Sequence, residues 1–457
     1  LISRGFSRQI AVAALALLVQ PVAAHAGPHS EIASAFDEGD EFDLHVTIDY
    51  ALDVRSGTVQ REVVGAAGTA PTDPLPLVDD LTYSSTRHTL TPRVELGLFH
   101  DLSLGLALPI VIRDSRELAL DGIAADASST VADGLLPMTG FDADDPSGPG
   151  FTNPTDSTIF RGPTRAGLDQ VHLALAWAPM NQEKDDTKPT WKLIASLGLP
   201  IGTEMELDRM DPDSSTGVGR GLWEVTLKTT VAKQLSWAEP FVELWWTAPF
   251  NETEDSAFTD LGFGSRRASA QQNAGTRFGF EAYALNKPEE HQRISLELSA
   301  LFQANFEGRA YTEMWEVFSY AGDARASGPL VLDEDPVTAG QQAYSHPGVS
   351  NVENYLTFGG RAGIRAQIGE KVRFGAAFGL YHDQSHIISF ADAGTDKPTC
   401  RGGATPPACE ASSNDVVDPG TDEVNPHYAP TIDLVGHRYR LDGATDYMLL
   451  VDARVLF

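Results

Sequence analysis

The chain has 457 residues, with 64 acidic against 33 basic side chains, a formal net charge of −31 and two cysteines. So acidic a molecule repels nucleic-acid phosphate, and so few thiols exclude a disulfide-built scaffold. No apolar run reaches the roughly 20 residues that a spanning helix needs, Ile10 to Val19 included.

Arg4 and Arg8 precede that apolar run, and Ala24-His25-Ala26 follows it as a small-residue cleavage site. The pattern predicts an export leader over residues 1–26 and a mature chain from Gly27. Residues 27–41 are then a periplasmic lead-in. Within it, Ser30 to Phe36 has helical propensity and lies where it can cap or plug the periplasmic mouth, although a lead-in without fixed structure is the simpler expectation.

From Phe42 the pattern changes to period two. Phe42, Leu44, Val46, Ile48, Tyr50 and Leu52 point one way, and Asp43, His45, Thr47, Asp49 and Asp53 the other. A hairpin follows, from Thr86 to Phe99 and from Leu102 to Ile112 around a His100-Asp101 turn. Further strands are expected at Gly167 to Ala178, Trp191 to Ile201, Gly221 to Val231, Pro240 to Phe250, Thr276 to Leu285, Arg293 to Phe306, Glu353 to Ile368, Lys371 to His386 and Thr445 to Phe457. This makes about twelve strands. Val131 to Met138 and Thr431 to Arg440 leave room for a total of fourteen.

Short turns at His100-Asp101, Met180 to Pro189, Gln234 to Glu239, Asn286 to Gln292 and Gly369-Glu370 alternate with long polar stretches. Apolar-out, polar-in strands with alternating short and long connections predict an all-β fold: an antiparallel up-and-down transmembrane barrel over residues 42–457. Sandwiches and propellers share the strands but not the alternation of connections. The expected location is the bacterial outer membrane, with both termini periplasmic. In the last strand Tyr447, Leu449, Val451, Val455 and Phe457 share the oily face and the terminal aromatic, the expected insertion signal for the outer-membrane assembly machinery. Tyr50, Trp177, Trp191, Trp223, Trp246, Phe250 and Phe306 fall near strand ends, as an interfacial girdle would.

A charge facing lipid costs roughly 2–4 kcal/mol near the midplane, so alternation sends strand charges into the bore. On the early strands these are Asp43, Asp49, Arg93, Glu95 and Lys192. The middle strands add Glu224, Lys228, Glu243, Arg277, Glu281 and Glu297, and the late ones Arg361, Arg365, Arg373, Asp452 and Arg454. Neighbouring strands offer opposite signs, with Arg277 and Glu281 beside Glu297, and Glu297 beside Arg361 and Arg365. Such a network either braces a narrow barrel or forms a constriction that orients a small solute. Ala174, Ala176, Ala178, Ser196 and Gly198 leave space on the wet face. Gly359, Gly363, Gly375 and Gly379 read first as bends. Phe241, Trp245 and Tyr381 point inward, by packing or as an aromatic track.

No site chemistry stands out. In Tyr381-His382-Asp383-Gln384-Ser385-His386, parity puts both histidines on one face and Asp383 with Ser385 on the other, which argues against a catalytic triad. The acidic runs Phe141 to Pro146 and Asp208 to Asp213 lack calcium-loop spacing. Cys400 and Cys409 are expected to form a local disulfide, because two thiols alone make a poor zinc site. No metal or cofactor is expected. The expected partners are outer-membrane lipid and lipopolysaccharide, the assembly machinery and a small-molecule solute, with no nucleic acid.

One stretch, Thr164 to Phe250, carries Gly167-Leu-Asp169, Leu197-Gly-Leu-Pro-Ile-Gly202 and Gly217-Val-Gly219. It resembles the outer-membrane channel family associated with the phenol meta-degradation pathway, whose pattern is Gly-x-Gly-Asp, Leu-Pro-x-Gly and a glycine-rich loop entry. Ala166 and Leu168 replace the two glycines of the first motif. The resemblance covers under a quarter of the chain and implies a passive channel for small molecules, hydrophobic or aromatic ones included. The alternative is a closed structural or surface-interaction barrel acting through its acidic loops. An enzyme is not expected.

Overall fold

A computed structural model describes residues 29–37, 40–63, 75–151, 157–254, 256–259, 269–323, 328–333, 343–390 and 429–457. The expected leader and the Cys400–Cys409 pair lie outside the described residues.

Twelve antiparallel strands close into a barrel. They are β1 (Leu44–Glu62), β2 (Leu77–Phe99), β3 (Leu102–Ala107 continued by Ile110–Leu120), β4 (Arg165–Leu168 continued by Val171–Met180), β5 (Thr190–Leu199) and β6 (Leu222–Ala232). The circle continues with β7 (Ala238–Glu252), β8 (Asn273–Lys287), β9 (Gln292–Asn305), β10 (Tyr355–Ile368), β11 (Val372–Asp383) and β12 (Tyr439–Leu456). β12 pairs with β1 along its length, Val455 opposite Val46 and Val451 opposite Tyr50, so every strand of the wall has two neighbours. Closure satisfies the backbone without a free edge, which lipid demands.

Alternation gives the wall its two faces. Ile48 is 51% exposed on the outside while Asp49 beside it is 8% exposed in the bore. Leu104, Leu175, Leu227, Leu244, Phe278, Leu298, Phe358, Phe378 and Leu449 continue the outward apolar belt around the barrel. No helix is long and apolar enough to cross a membrane. This is an outer-membrane-type β-barrel.

The wall is uneven in height. β1, β2 and β12 run 19, 23 and 18 residues, well past the 9–11 or so that cross the hydrocarbon. The stretch from Thr431 accordingly resolves into a short helix, α3 (Pro430–Asp433), followed by the outward extension of β12 from Tyr439. Val131 to Met138 is no strand either. Its first residues end α1 (Ser129–Ala132), whose start is capped by the buried Asp80: Oδ1 accepts from Ser128 Oγ (2.9 Å) and Ser129 N (3.0 Å), and Oδ2 from Thr130 N (3.1 Å). Both possible extra strands are therefore absent from the wall.

Two neighbouring strands are interrupted. β3 breaks before Ile110 at Pro109, which has no N–H to donate, and β4 breaks at Asp169-Gln170.

At the long-loop end the connections fold over the bore and build their own apolar core. Helix α2 (Trp315–Gly322) is its centre: Trp315, Val317 and Phe318 are almost fully buried against Leu81, Leu135, Phe141, Phe160, Ile388 and Tyr439. Arg165, also fully buried, ties the layers together. Its Nε donates to Glu316 Oε1 (3.0 Å), and its terminal nitrogens donate to the carbonyls of Glu206, Ser215 and Gly217. The result is a packed cap rather than a fringe of separate loops.

Candidate functional site

The bore is the site, and strand register sets its chemistry. Arg277 lies directly opposite Glu243 across β7 and β8, and the two bond at 2.7 Å; Lys228 reaches the same carboxylate at 2.8 Å. Glu281 and Glu297 also lie opposite one another, a repulsive pairing. Arginines from the next strand resolve it: Arg361 holds Glu297 through Nε (3.0 Å) and a terminal nitrogen (2.6 Å), and Arg365 bridges Glu281 (2.8 Å) and Glu297 (3.0 Å). Arg93 pairs with Asp49 (2.7 Å), and Arg220 with Glu224 (2.6 Å). Every strand charge expected in the bore from Asp49 to Arg454 is on the inward face. Partner choice differs in one respect, since Arg277 takes Glu243 and leaves Glu281 to Arg365.

A segment outside the wall completes this network. Residues 29–34 enter the bore from the short-turn end as an irregular chain, and the helix suggested by Ser30 to Phe36 does not form. A small hairpin, Ala35–Asp37 with Asp40–Phe42, then leads into β1. The segment is anchored throughout. His29 stacks on Phe241 with ring centroids 3.6 Å apart, Ser30 N donates to Glu239 Oε1 (2.8 Å), and Ser34 N donates to Asp43 Oδ2 (2.8 Å). Lys192 Nζ donates to the Glu31 carbonyl at 3.0 Å. The Glu31 carboxylate takes Arg373 and Arg454, the latter at 3.0 Å. Gly97 makes the path possible, because a Cβ there would sit 1.9 Å from the Ser34 carbonyl oxygen.

Two polar cavities remain in the bore. One, of about 770 Å³, is lined by His45, Asp49, Arg93, Ala174, Ser196 and Arg361 among others. The small residues noted on β4 and β5 do leave space here. A second, of about 470 Å³, lies toward the cap between Asp53, Arg87, Arg116, Gln303, Tyr355 and His386. Arg55 is the hub of this second cavity, donating to Glu313 (2.7 Å), Asp383 (2.8 Å) and Asp446 (2.6 Å). Burial alone would raise the Glu313 carboxyl, but the Arg55 guanidinium and His386 outweigh it and hold the group below the ordinary glutamate value.

The glycines of β10 and β11 serve contacts rather than bends. A Cβ on Gly379 would meet the Tyr381 ring at 2.7 Å, and one on Gly375 the Asp452 carboxylate at 2.2 Å. Phe241 is packed under His29, and Trp245 Nε1 donates to Asn273 (3.3 Å).

The histidine cluster differs from its parity. β11 ends at Asp383, and the two residues before His386 step out of the ladder, so His386 faces the second cavity with Asp383 while His382 does not. The four side chains are engaged elsewhere: Asp383 with Arg55 and Thr357, Ser385 with Asp442, His382 with Thr445, and His386 stacked on Tyr355. Among the described residues His29, Glu281 and Glu297 bring possible ligand atoms within 4.8 Å of one another, but both carboxylates are already committed to Arg361 and Arg365, so the donor set does not fit a cation.

Sequence reasoning missed Glu31, His29 and Arg55. Arg55 was legible, because the inward parity of Asp49 and Asp53 continues to it. The lead-in residues carry no strand period and gave no such signal.

No protein-family profile and no curated protein matches the chain. Among solved structures it is similar to an outer-membrane channel of Pseudomonas putida F1, at 10% identity and a TM-score of 0.40, covering 95% of this chain and 100% of that one. A FadL homologue of Pseudomonas aeruginosa aligns at 9% identity and a TM-score of 0.29 over 92% of this chain and 90% of that one. The outer membrane protease OmpT of Escherichia coli aligns at 7% identity and a TM-score of 0.25 over 90% and 97%. These are weak resemblances in barrel architecture.

Proposed function

We propose that this protein is an outer-membrane channel that admits small solutes by passive diffusion and is closed at rest. In this reading the short-turn end and both termini are periplasmic, and the cap faces outward. The observation that carries it is the bore itself: its side chains leave cavities of about 770 and 470 Å³ lined by charged groups, where a purely structural barrel of this width has no need of open polar volume. The lead-in and the cap are the two closures. Mixed charge along the wall suits a filter that orients a polar or ionised end of a solute. Lipid and lipopolysaccharide surround the belt and the acidic loops, and insertion through the assembly machinery uses the last strand.

The second reading, a closed structural or surface-interaction barrel, draws on the apolar core of the cap, which is packed like a domain interior. Planar-bilayer recording separates the two. The channel reading expects discrete openings, more frequent when Gly97→Val displaces the lead-in. Silence from both proteins, each still migrating as a folded, heat-modifiable barrel, would favour the structural reading.

A further inference from the structure

Strand register sets two arginines against each other. Arg373 on β11 and Arg454 on β12 are direct cross-strand partners, both on the inward face and both less than one-fifth exposed. Like charges in that position repel and are tolerated only where an anion lies between them. No carboxylate of β11 or β12 bridges the pair. Across the bore Glu95 approaches Arg454 at 3.5 Å, and His45 Nδ1 lies 2.6 Å from one of its terminal nitrogens. The only carboxylate that takes both arginines among the described residues is Glu31, which arrives on the lead-in. The clamp still has capacity to spare: Nε of Arg373 and Nε of Arg454 are buried and have no hydrogen-bond partner. Arginine forks are suited to planar two-oxygen anions, and unmatched buried donors are costly.

The same segment seats a ring two residues earlier. The His29 imidazole lies flat on Phe241, 3.6 Å between centroids and 11° between planes, with Arg277 on the Phe241 ring at 5.6 Å. The lead-in therefore presents a planar ring to an aromatic face and a carboxylate to an arginine pair.

We infer that Arg373 and Arg454 form a carboxylate subsite of the bore, with Phe241 as its ring platform, and that His29 and Glu31 occupy it at rest as an internal ligand which an aromatic carboxylate displaces. The inference rests on the channel reading for the purpose of displacement and adds the solute class to it. Displacement needs no covalent step. The solute exchanges one carboxylate for another on the same donors and so releases the plug as it binds.

Calorimetric titration of the folded, detergent-solubilised protein tests it, with benzoate as probe, acetate as a carboxylate without a ring, and benzyl alcohol as a ring without a charge. Glu31→Gln removes the competitor and is expected to tighten benzoate binding roughly 10-fold, because the apparent affinity of a site rises with the fraction of it left free. Gly97→Val, which evicts the lead-in without touching a charge, should give a similar gain. Arg373→Gln and Arg454→Gln should lose benzoate binding while heat-modifiable migration shows the barrel intact, acetate should bind more weakly than benzoate, and benzyl alcohol should not bind. Equal benzoate affinity in wild type, Glu31→Gln and Gly97→Val would overturn the proposal, as would undiminished binding by Arg454→Gln or equal binding of benzyl alcohol. Titration needs no conduction, so bilayer silence with this binding pattern intact would remove the channel reading and leave the subsite standing.

Discussion

Arg361 shows what a single side chain does in this bore. It covers Glu297, which is 4% exposed, with two hydrogen bonds, and Glu297 in turn faces Glu281 across the β8–β9 register. Arg361→Ala leaves that carboxylate to Arg365 alone. Breaking a buried pair by removing one partner costs about 3–5 kcal/mol, so the variant should unfold at lower urea in vesicles. It should also shift the reversal potential in a potassium chloride gradient toward cation preference, since a fixed positive charge has left the wall. An unchanged reversal potential would take Arg361 out of the filter. Period-two alternation made the inward position of Arg361 legible, because hydrocarbon admits no charge and only one other face exists. Its partner was not legible to the same degree. Which carboxylate an arginine meets depends on inter-strand register, and one residue of slip exchanges the choice, as the pairing of Arg277 with Glu243 illustrates.

At the scale of elements, the cap and the lead-in behave as insertions into a finished wall. The cap hangs on Arg165, which joins α2 to three loop carbonyls from a site with no exposure. Arg165→Ala strips Glu316 of its buried partner, so the cap should become sensitive to trypsin while the barrel core resists it; resistance equal to wild type would show that the apolar contacts of Trp315 and Phe318 suffice. Acid should loosen the same cap. The folded Glu313 carboxyl lies below the ordinary glutamate value of 4.5, so the stability it contributes is present above about pH 4.5 and fades as the pH falls from there through the folded value. Trypsin-independent probes such as bilayer current should therefore show no change from pH 8 to pH 5 and more frequent openings below pH 4.5. Glu313→Gln should lose that acid response. Neither element was legible as a closure. α2 is too short to declare its packing, and the lead-in fills the bore with irregular backbone whose partners lie hundreds of residues away, Arg373 and Arg454 among them.

The whole molecule separates two solvents with one wall, and the consequences of substitution should follow the face and not the residue type. Leu298 stands near the middle of β9, 55% exposed on the apolar belt between Phe280 of β8 and Ala362 of β10. Leu298→Arg places a guanidinium in hydrocarbon and should cost roughly 2–4 kcal/mol in lipid vesicles. Ala174→Ser, on the opposite face of β4 against the larger cavity, adds a hydroxyl where water already reaches and should lie within about 0.5 kcal/mol of wild type. Urea titration of both variants in the same vesicles measures the contrast. The argument turns on the medium: in detergent, whose chains shift to let an arginine reach water, the Leu298→Arg penalty should shrink, whereas a cost rooted in side-chain packing would persist unchanged. Equal penalties in vesicles and detergent would mean that the exposed apolar belt is not the lipid-facing surface that the alternation of every strand assigns to it.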